Sequence, residues 1–183
     1  ANGQVIDGAT VTWTTSNDTV ATVSSTGLVT SVADGSATIT ATSGEASATA
    51  SVAVGQVAAA VSLSDSILTF ASLADTTQLT ATVTDANGQV IDGATVTWTT
   101  SNDTVATVSS TGLVTSVADG SATITATSGS ASATAAVSVA QVAAAVSLSD
   151  STLTFASLTD TTQLTATVTD ANGATIPSPS ITW

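Results

Sequence analysis

The residues that could carry chemistry in this chain are almost all aspartates. Its 183 residues include 13 acidic side chains but no Lys, Arg, His, Cys or Tyr, and the formal net charge is −13. Most general bases and nucleophiles are therefore missing, so we expect no enzymatic activity and no catalytic or cofactor-binding residues. The absence of cations also argues against binding to nucleic acids and against direct contact with anionic membranes.

One aspartate-containing turn has the residue types that calcium prefers. The DANG segment Asp85–Gly88 offers a carboxylate and an amide oxygen, so Asp85 and Asn87 are calcium candidates. The segment lacks the D-x-D-x-D-G pattern of a dedicated calcium loop. The alternative, which the sequence favours, is an Asx-turn in a β-hairpin, and then no cofactor is required.

Two asparagines fit the acceptor pattern for N-glycosylation. Asn17-Asp18-Thr19 and Asn102-Asp103-Thr104 both have the N-x-[ST] form. Asn17 and Asn102 are therefore glycosylation candidates, and their place in Thr-rich segments predicts exposed loops.

These residues must be positioned by β-strands, because apolar and hydroxyl side chains alternate along much of the chain. Regular runs lie at residues 57–64, 78–84, 94–99, 121–127 and 131–139, and less regular runs at 104–109 and 113–118. Turn sequences such as Asn87-Gly88 and Asp119-Gly120 separate them. About seven short strands, each with one apolar face, predict an all-β, two-sheet sandwich.

The sequence repeats itself every 85 residues. Residues 1–44 recur without change as residues 86–129, and Trp13, Trp98 and Trp183 keep the same spacing. Solenoid repeats are shorter, about 20–50 residues, so this period predicts a small domain in tandem. We expect the three tryptophans to be structural core residues, and Trp98→Ala to be among the most damaging substitutions, because burying such a side chain contributes about 2–3 kcal/mol.

The phase of the repeat predicts three segments. Residues 57–141 form one complete domain, residues 1–56 form the C-terminal part of a preceding one, and residues 142–183 form the N-terminal part of a following one. We interpret this phase as an excerpt from a longer array. The alternative is head-to-tail assembly, in which the strands of one molecule complete those of the next.

The segment VTWTTSNDTVATVSSTGLVTSVADGSATITATSG resembles the bacterial immunoglobulin-like domain, group 2. The resemblance rests on Trp98, Ser101-Asn102, Val105–Val108, Thr111–Thr115 and Gly120–Thr125. The preceding LTATVTDANGQVIDGATVTW is similar to the repeats of intimin- and invasin-type surface adhesins. The resemblance implies tandem immunoglobulin-like β-sandwiches used as spacers or adhesive modules on a cell or virion surface, with no catalytic residues to carry over.

The expected function is therefore a structural spacer in a long extracellular fibre, stalk or adhesin on a bacterial or similar cell surface. Its expected partners are neighbouring copies of the domain, with other fibre chains or a surface glycan or receptor as further partners. Two alternatives stay open: a self-assembling filament subunit joined by strand complementation, and a domain that binds a glycan or receptor. Identical loops in successive copies favour the spacer.

Overall fold

The structure is a computed structural model that describes residues 7–183, so the first six residues of the predicted segment 1–56 lie outside it. Residues 7–183 form sixteen β-strands and no helix, which confirms the all-β fold class. Within this range there is accordingly no helix of the length and apolarity needed to cross a membrane. The chain divides into two compact units, the first ending at Val57 and the second comprising Ala58–Trp183.

The first unit contains five strands among its described residues. They are β1 (Thr12–Thr15), β2 (Ala21–Val23), β3 (Val29–Ser31), β4 (Gly35–Ser43) and β5 (Ala46–Val54). Strands β1, β4 and β5 form an antiparallel sheet in that order, and β2 pairs with β3. A small core of Val20, Ala21 and Ala37, with Val52 and Val54 packed against it, holds this unit together.

The second unit begins with nine strands that form a sandwich. They are β6 (Ala60–Leu63), β7 (Ile67–Phe70), β8 (Thr76–Gln78), β9 (Ala81–Thr84), β10 (Thr97–Thr100), β11 (Ala106–Val108), β12 (Leu113–Ser116), β13 (Gly120–Ser128) and β14 (Ala131–Val139). The sheets have the strand orders β10-β13-β14-β7, β11-β12-β8 and β6-β9. All pairs are antiparallel except β14 with β7, which run parallel from Ala136↔Ile67 to Val139↔Phe70.

The core of the sandwich follows the predicted alternation. Ala122, Ile124 and Ala126 of β13 are buried, and the hydroxyl residues between them are only partly covered. The largest fully buried side chains are Leu79, Ile124 and Val114, which come from three different parts of the sequence. Burial of such apolar side chains is the main favourable contribution to folding.

Trp98 lies at the margin of this core. Its ring is half-buried and packs against the core cluster, and it also lies against Gly112, whose φ is +86°. A Cβ built on Gly112 would be 2.8 Å from Cζ2 of Trp98 and 2.5 Å from the backbone oxygen of Leu79. The Thr-Gly turn therefore provides both the left-handed backbone and the space that the indole needs.

The last two strands repeat the start of the sandwich. Strand β15 (Ala145–Leu148) pairs with β16 (Ala166–Thr169) from Ala145↔Thr169 to Leu148↔Ala166. Strands β6 and β9 pair from Ala60↔Thr84 to Leu63↔Ala81, which is the same register 85 residues earlier. Identical strand sequences thus form the same antiparallel pair in both places.

Candidate functional site

The DANG turn builds its own hydrogen-bonded structure around the aspartate. Oδ1 of Asp85 accepts hydrogen bonds from the backbone N–H groups of Asn87 and Gln89, both at 2.9 Å. Oδ1 of Asp170 does the same with Asn172 at 3.0 Å and Ala174 at 2.9 Å. This is the geometry of an Asx-turn.

The turn is thus formed by amide donors to one carboxylate oxygen. Within residues 7–183 no three His, Cys, Asp or Glu side chains come close enough together to hold a metal ion. Calcium binding by Asp85 and Asn87 stays a prediction.

The second carboxylate oxygen of Asp170 is hydrogen-bonded to residues that come earlier in the second unit. Oδ2 accepts a hydrogen bond from the backbone N–H of Leu73 at 2.8 Å and another from Nε2 of Gln141 at 3.0 Å. Asp170 has only 2% of its surface exposed. Its two oxygens accept four hydrogen bonds, which matches the capacity of an ionised carboxylate. In a chain without cations, neutral N–H donors are what stabilise this buried charge.

These contacts favour the ionised form of Asp170. The hydrogen bond from Gln141 is the largest cause, and together with those from Leu73, Ala174 and Asn172 it holds the pKa of Asp170 below its ordinary value, against the opposing effect of burial. Two further carboxylates bond to residues of this region: Asp75 accepts from Nδ2 of Asn172, and Asp119 accepts from the backbone N–H of Gln141.

Asn172 adds a second set of contacts from the same turn. Its Nδ2 donates one hydrogen bond to the backbone oxygen of Leu73 and one to Oδ1 of Asp75, both at 2.8 Å. Leu73 thus uses its N–H for Asp170 and its C=O for Asn172. We refer to the contacts of Ser72–Asp75 and Gln141 with the turn Asp170–Ala174 as the junction.

The loop Ser72–Asp75 is held in shape by a buried serine. Oγ of Ser116 donates to the backbone oxygen of Ser72 at 2.8 Å and accepts from the N–H of Asp75 at 3.0 Å. Ala74, whose N–H bonds to the backbone oxygen of Ser116, has a φ of +61°. Such a conformation costs a non-glycine residue about 1–3 kcal/mol and persists only where its surroundings enforce it.

The connector between the sandwich and the following strand pair is also hydrogen-bonded. The N–H of Ala140 donates to Phe70 O at 3.0 Å, and that of Val142 donates to Ala71 O at 2.8 Å, which extends the pairing of β14 with β7. The N–H of Gln141 between them donates to Oδ1 of Asp119 at 2.9 Å. The connector is therefore fixed along its length and holds Gln141 where its side chain meets Asp170.

The glycosylation candidates lie in exposed turns. Oδ1 of Asn17 accepts hydrogen bonds from the N–H and the hydroxyl of Thr19, at 3.1 and 2.7 Å. Asn102 and Thr104 repeat these contacts with the same distances. Both asparagines are exposed, and their glycosylation stays a prediction.

The three tryptophans have different environments. Trp13 is half-buried against Gly27, and Trp98 is half-buried against the main core. Trp183 has 75% of its surface exposed. The structure therefore does not place Trp183 in a core, in contrast to the expectation from its spacing.

The sequence alone does not predict the junction, although it contains one signal of it. The DANG turn recurs as Asp170–Gly173, while the residues after it change from QVIDGA to ATIPSP. The identity between the two copies thus ends directly after the turn. Its partners Leu73 and Gln141 are 97 and 29 residues from Asp170, so no local pattern connects them.

Comparisons with known proteins identify a family. The family model of the bacterial Ig-like domain (group 2) matches residues 3–54 and 57–139, more than half of the chain. No curated protein matches the chain.

Several solved structures are similar to the chain. The S-layer protein SbsC is 24% identical over 97% of this chain and 25% of its own, with a TM-score of 0.46. Domains 4–9 of the surface layer protein SbsC are 25% identical over 97% of this chain and 30% of theirs, also with a TM-score of 0.46. Human protocadherin-24 EC1-2 is 12% identical over 74% of this chain and 83% of its own, with a TM-score of 0.33. The chain thus spans less than a third of the length of these two S-layer structures.

Proposed function

The chain belongs to the bacterial Ig-like domain (group 2) family, and from this membership and the junction we propose that it is a structural spacer of a long extracellular repeat protein. Such a protein would form a fibre, stalk or adhesin on a cell surface, and the partners of each domain would be its neighbouring copies. The role is mechanical and needs no catalytic residue.

The junction is the observation that carries this proposal. A spacer keeps a distance only if consecutive domains cannot bend freely at their connection. Here the connector is bonded to Phe70 and Ala71, and the turn Asp170–Ala174 is bonded to Leu73, Asp75 and Gln141. Bonds at several points constrain both bending and rotation, whereas a single flexible linker would constrain neither.

The repetition and the charge support the same role. Residues 1–44 and 86–129 are identical, so successive copies carry the same loops. A stalk tolerates identical copies, whereas a receptor-binding surface generally occupies one distinct domain. The net charge of −13 keeps parallel fibres apart and in solution, which suits an extracellular location.

A distance measurement between spin labels tests the proposal. The chain has no cysteine, so the pair Ser132→Cys and Ser147→Cys introduces two unique attachment sites. Both serines are exposed, Ser132 on β14 and Ser147 on β15. We expect a single narrow distribution of the distance between the two labels, both in low-salt buffer and at high salt. A matched pair, Ser132→Cys and Thr107→Cys within the sandwich, gives the width expected for a rigid body.

Three results would contradict the spacer. A distribution across the junction much broader than the matched pair would mean that the domains move independently. Saturable binding of the chain to members of a glycan panel would support the receptor-binding alternative instead. Long uniform filaments of the purified chain in electron microscopy would favour the filament subunit.

A further inference from the structure

We propose that Leu73, Asp75 and Gln141 form a docking socket that selects an Asp-x-Asn-Gly turn at the front of a following copy of the domain. This inference rests on the proposed spacer function, because it names the partner that each domain of the array recognises. The partner is a second copy of the same fold, and the recognised chemistry is a carboxylate followed two residues later by a carboxamide.

The socket presents donors and acceptors in a fixed arrangement. The N–H of Leu73 and Nε2 of Gln141 are both donors, and both meet Oδ2 of Asp170. The C=O of Leu73 and Oδ1 of Asp75 are both acceptors, and both meet Nδ2 of Asn172. An ionised Asp accepts only and an Asn amide nitrogen donates only, so each position of the turn matches its half of the socket.

The socket is prepared by the sandwich itself. Ser116 fixes Ser72 and Asp75, and Ala74 holds a left-handed conformation between them. Leu73 therefore directs its N–H and its C=O to the turn without giving up bonds within the sandwich. Preorganised groups of this kind lose little conformational entropy on docking, which is why they discriminate well between partners.

The sequence separates the docking residues from the rest of the turn. The two copies are identical from Asp160 to Gly173, and the first difference after this run is the replacement of Gln89 of the earlier copy by Ala174. Residue 174 bonds to Asp170 through its backbone alone: its N–H donates to Oδ1 and its C=O accepts from the backbone N–H of Asp170, and any residue except proline supplies both groups. The side chains that are kept include the two that contact the socket. The complete copy carries both a socket and its own turn Asp85–Gly88, so the same chemistry can join copies in one direction along an array.

Two substitutions that look alike test the selection. In Asn172→Asp, a carboxylate would face the C=O of Leu73 and the carboxylate of Asp75, so two hydrogen bonds become two repulsions. In Asp75→Asn, an Oδ1 acceptor for Nδ2 of Asn172 is retained. We therefore expect Asn172→Asp to reduce the protection of the Leu73 amide against hydrogen exchange at least about tenfold, and Asp75→Asn to reduce it less than about threefold. Asp103→Asn, an exposed substitution away from the junction, changes the charge as Asp75→Asn does and is the control for that variant.

The readout separates docking from folding. The Leu73 N–H bonds to Asp170, so its exchange reports the junction, whereas the amide of Ile124 in β13 reports the sandwich core. Loss of protection at Leu73 with an unchanged Ile124 amide supports the socket. Equal effects of Asn172→Asp and Asp75→Asn, or no effect of Asn172→Asp on Leu73, would overturn it. If the distance distribution between the spin labels is narrow but the hydrogen-exchange test fails, the socket proposal is refuted and the spacer proposal is retained. A broad distribution in the chain without these junction substitutions refutes the spacer proposal.

Discussion

Gly112→Ala tests how the turn beside Trp98 stabilises the sandwich. The alanine would have to keep a φ of +86°, which costs about 1–2 kcal/mol for a residue with a Cβ. Its Cβ would also lie 2.5 Å from the oxygen of Leu79 and 2.8 Å from Cζ2 of Trp98. Relieving such overpacking costs about 1–3 kcal/mol more, because a backbone oxygen cannot move aside like a flexible side chain.

The expected loss is thus about 2–5 kcal/mol of unfolding free energy. A domain of this size is stable by only about 4–13 kcal/mol, so the change removes a large part of the total. Gly88→Ala provides the matched control, because Gly88 has a φ of +80° but no atom within 4 Å of the added Cβ. Only the backbone cost of about 1–2 kcal/mol should remain there.

The assay is urea denaturation followed by the fluorescence of Trp98, in a background with Trp13→Phe and Trp183→Phe. The midpoint of Gly112→Ala should lie well below that of Gly88→Ala, with an unchanged slope. If the two variants agree within about 0.5 kcal/mol, the close contacts at Gly112 do not matter for stability and the reasoning is refuted.

Three further measurements follow from the structure. Because the pKa of Asp170 is lowered, the stabilisation of the junction by its carboxylate should be complete above the ordinary Asp pKa of about 4 and should decrease as the pH falls through the lowered value. The NMR chemical shift of the Leu73 amide should therefore change only in that acidic range. A transition near neutral pH would contradict this assignment. Ile124→Ala should lower the unfolding free energy by about 2–5 kcal/mol in urea denaturation, at least as much as Trp98→Ala. The reason is that Ile124 is fully buried, whereas the Trp98 ring is only half-buried. A larger loss for Trp98→Ala would mean that the indole contributes more to the stability of the core than Ile124 does. The melting midpoint should be the same with calcium and with a chelator, because amide donors already bond the carboxylate of the Asp85–Gly88 turn, and a clear rise with calcium would instead establish the metal site.

The sequence predicts those strands whose pattern is long and regular. The alternation in residues 121–127 and 131–139 corresponds to β13 and β14, where the buried and exposed positions follow the pattern. Strand β7 was not predicted, because Ile67–Phe70 has only four residues and its pairing with β14 joins segments about 70 residues apart. Such a pair depends on tertiary packing and leaves little trace in local sequence.

The junction, too, could be predicted from the sequence only in its local part. The sequence predicts the DANG turn as a local Asx-turn, because the donors to Oδ1 are only two and four residues away. The role of the other oxygen depends on Leu73 and Gln141, which only the folded chain brings near. Composition explains one part of it only in retrospect, since a chain without cations can hold a buried carboxylate only with neutral donors.

The parallel pair β7–β14 has a consequence for a stalk under tension. Its two strands belong to the beginning and the end of the sandwich, and the chain leaves β14 through a connector that continues the same hydrogen-bond ladder at Phe70 and Ala71. Pulling the two ends of the domain apart slides parallel strands along each other, so their hydrogen bonds must rupture together and not one after another. If the chain acts as the proposed spacer, tension along the array would therefore load these parallel strand pairs before the sandwiches unfold.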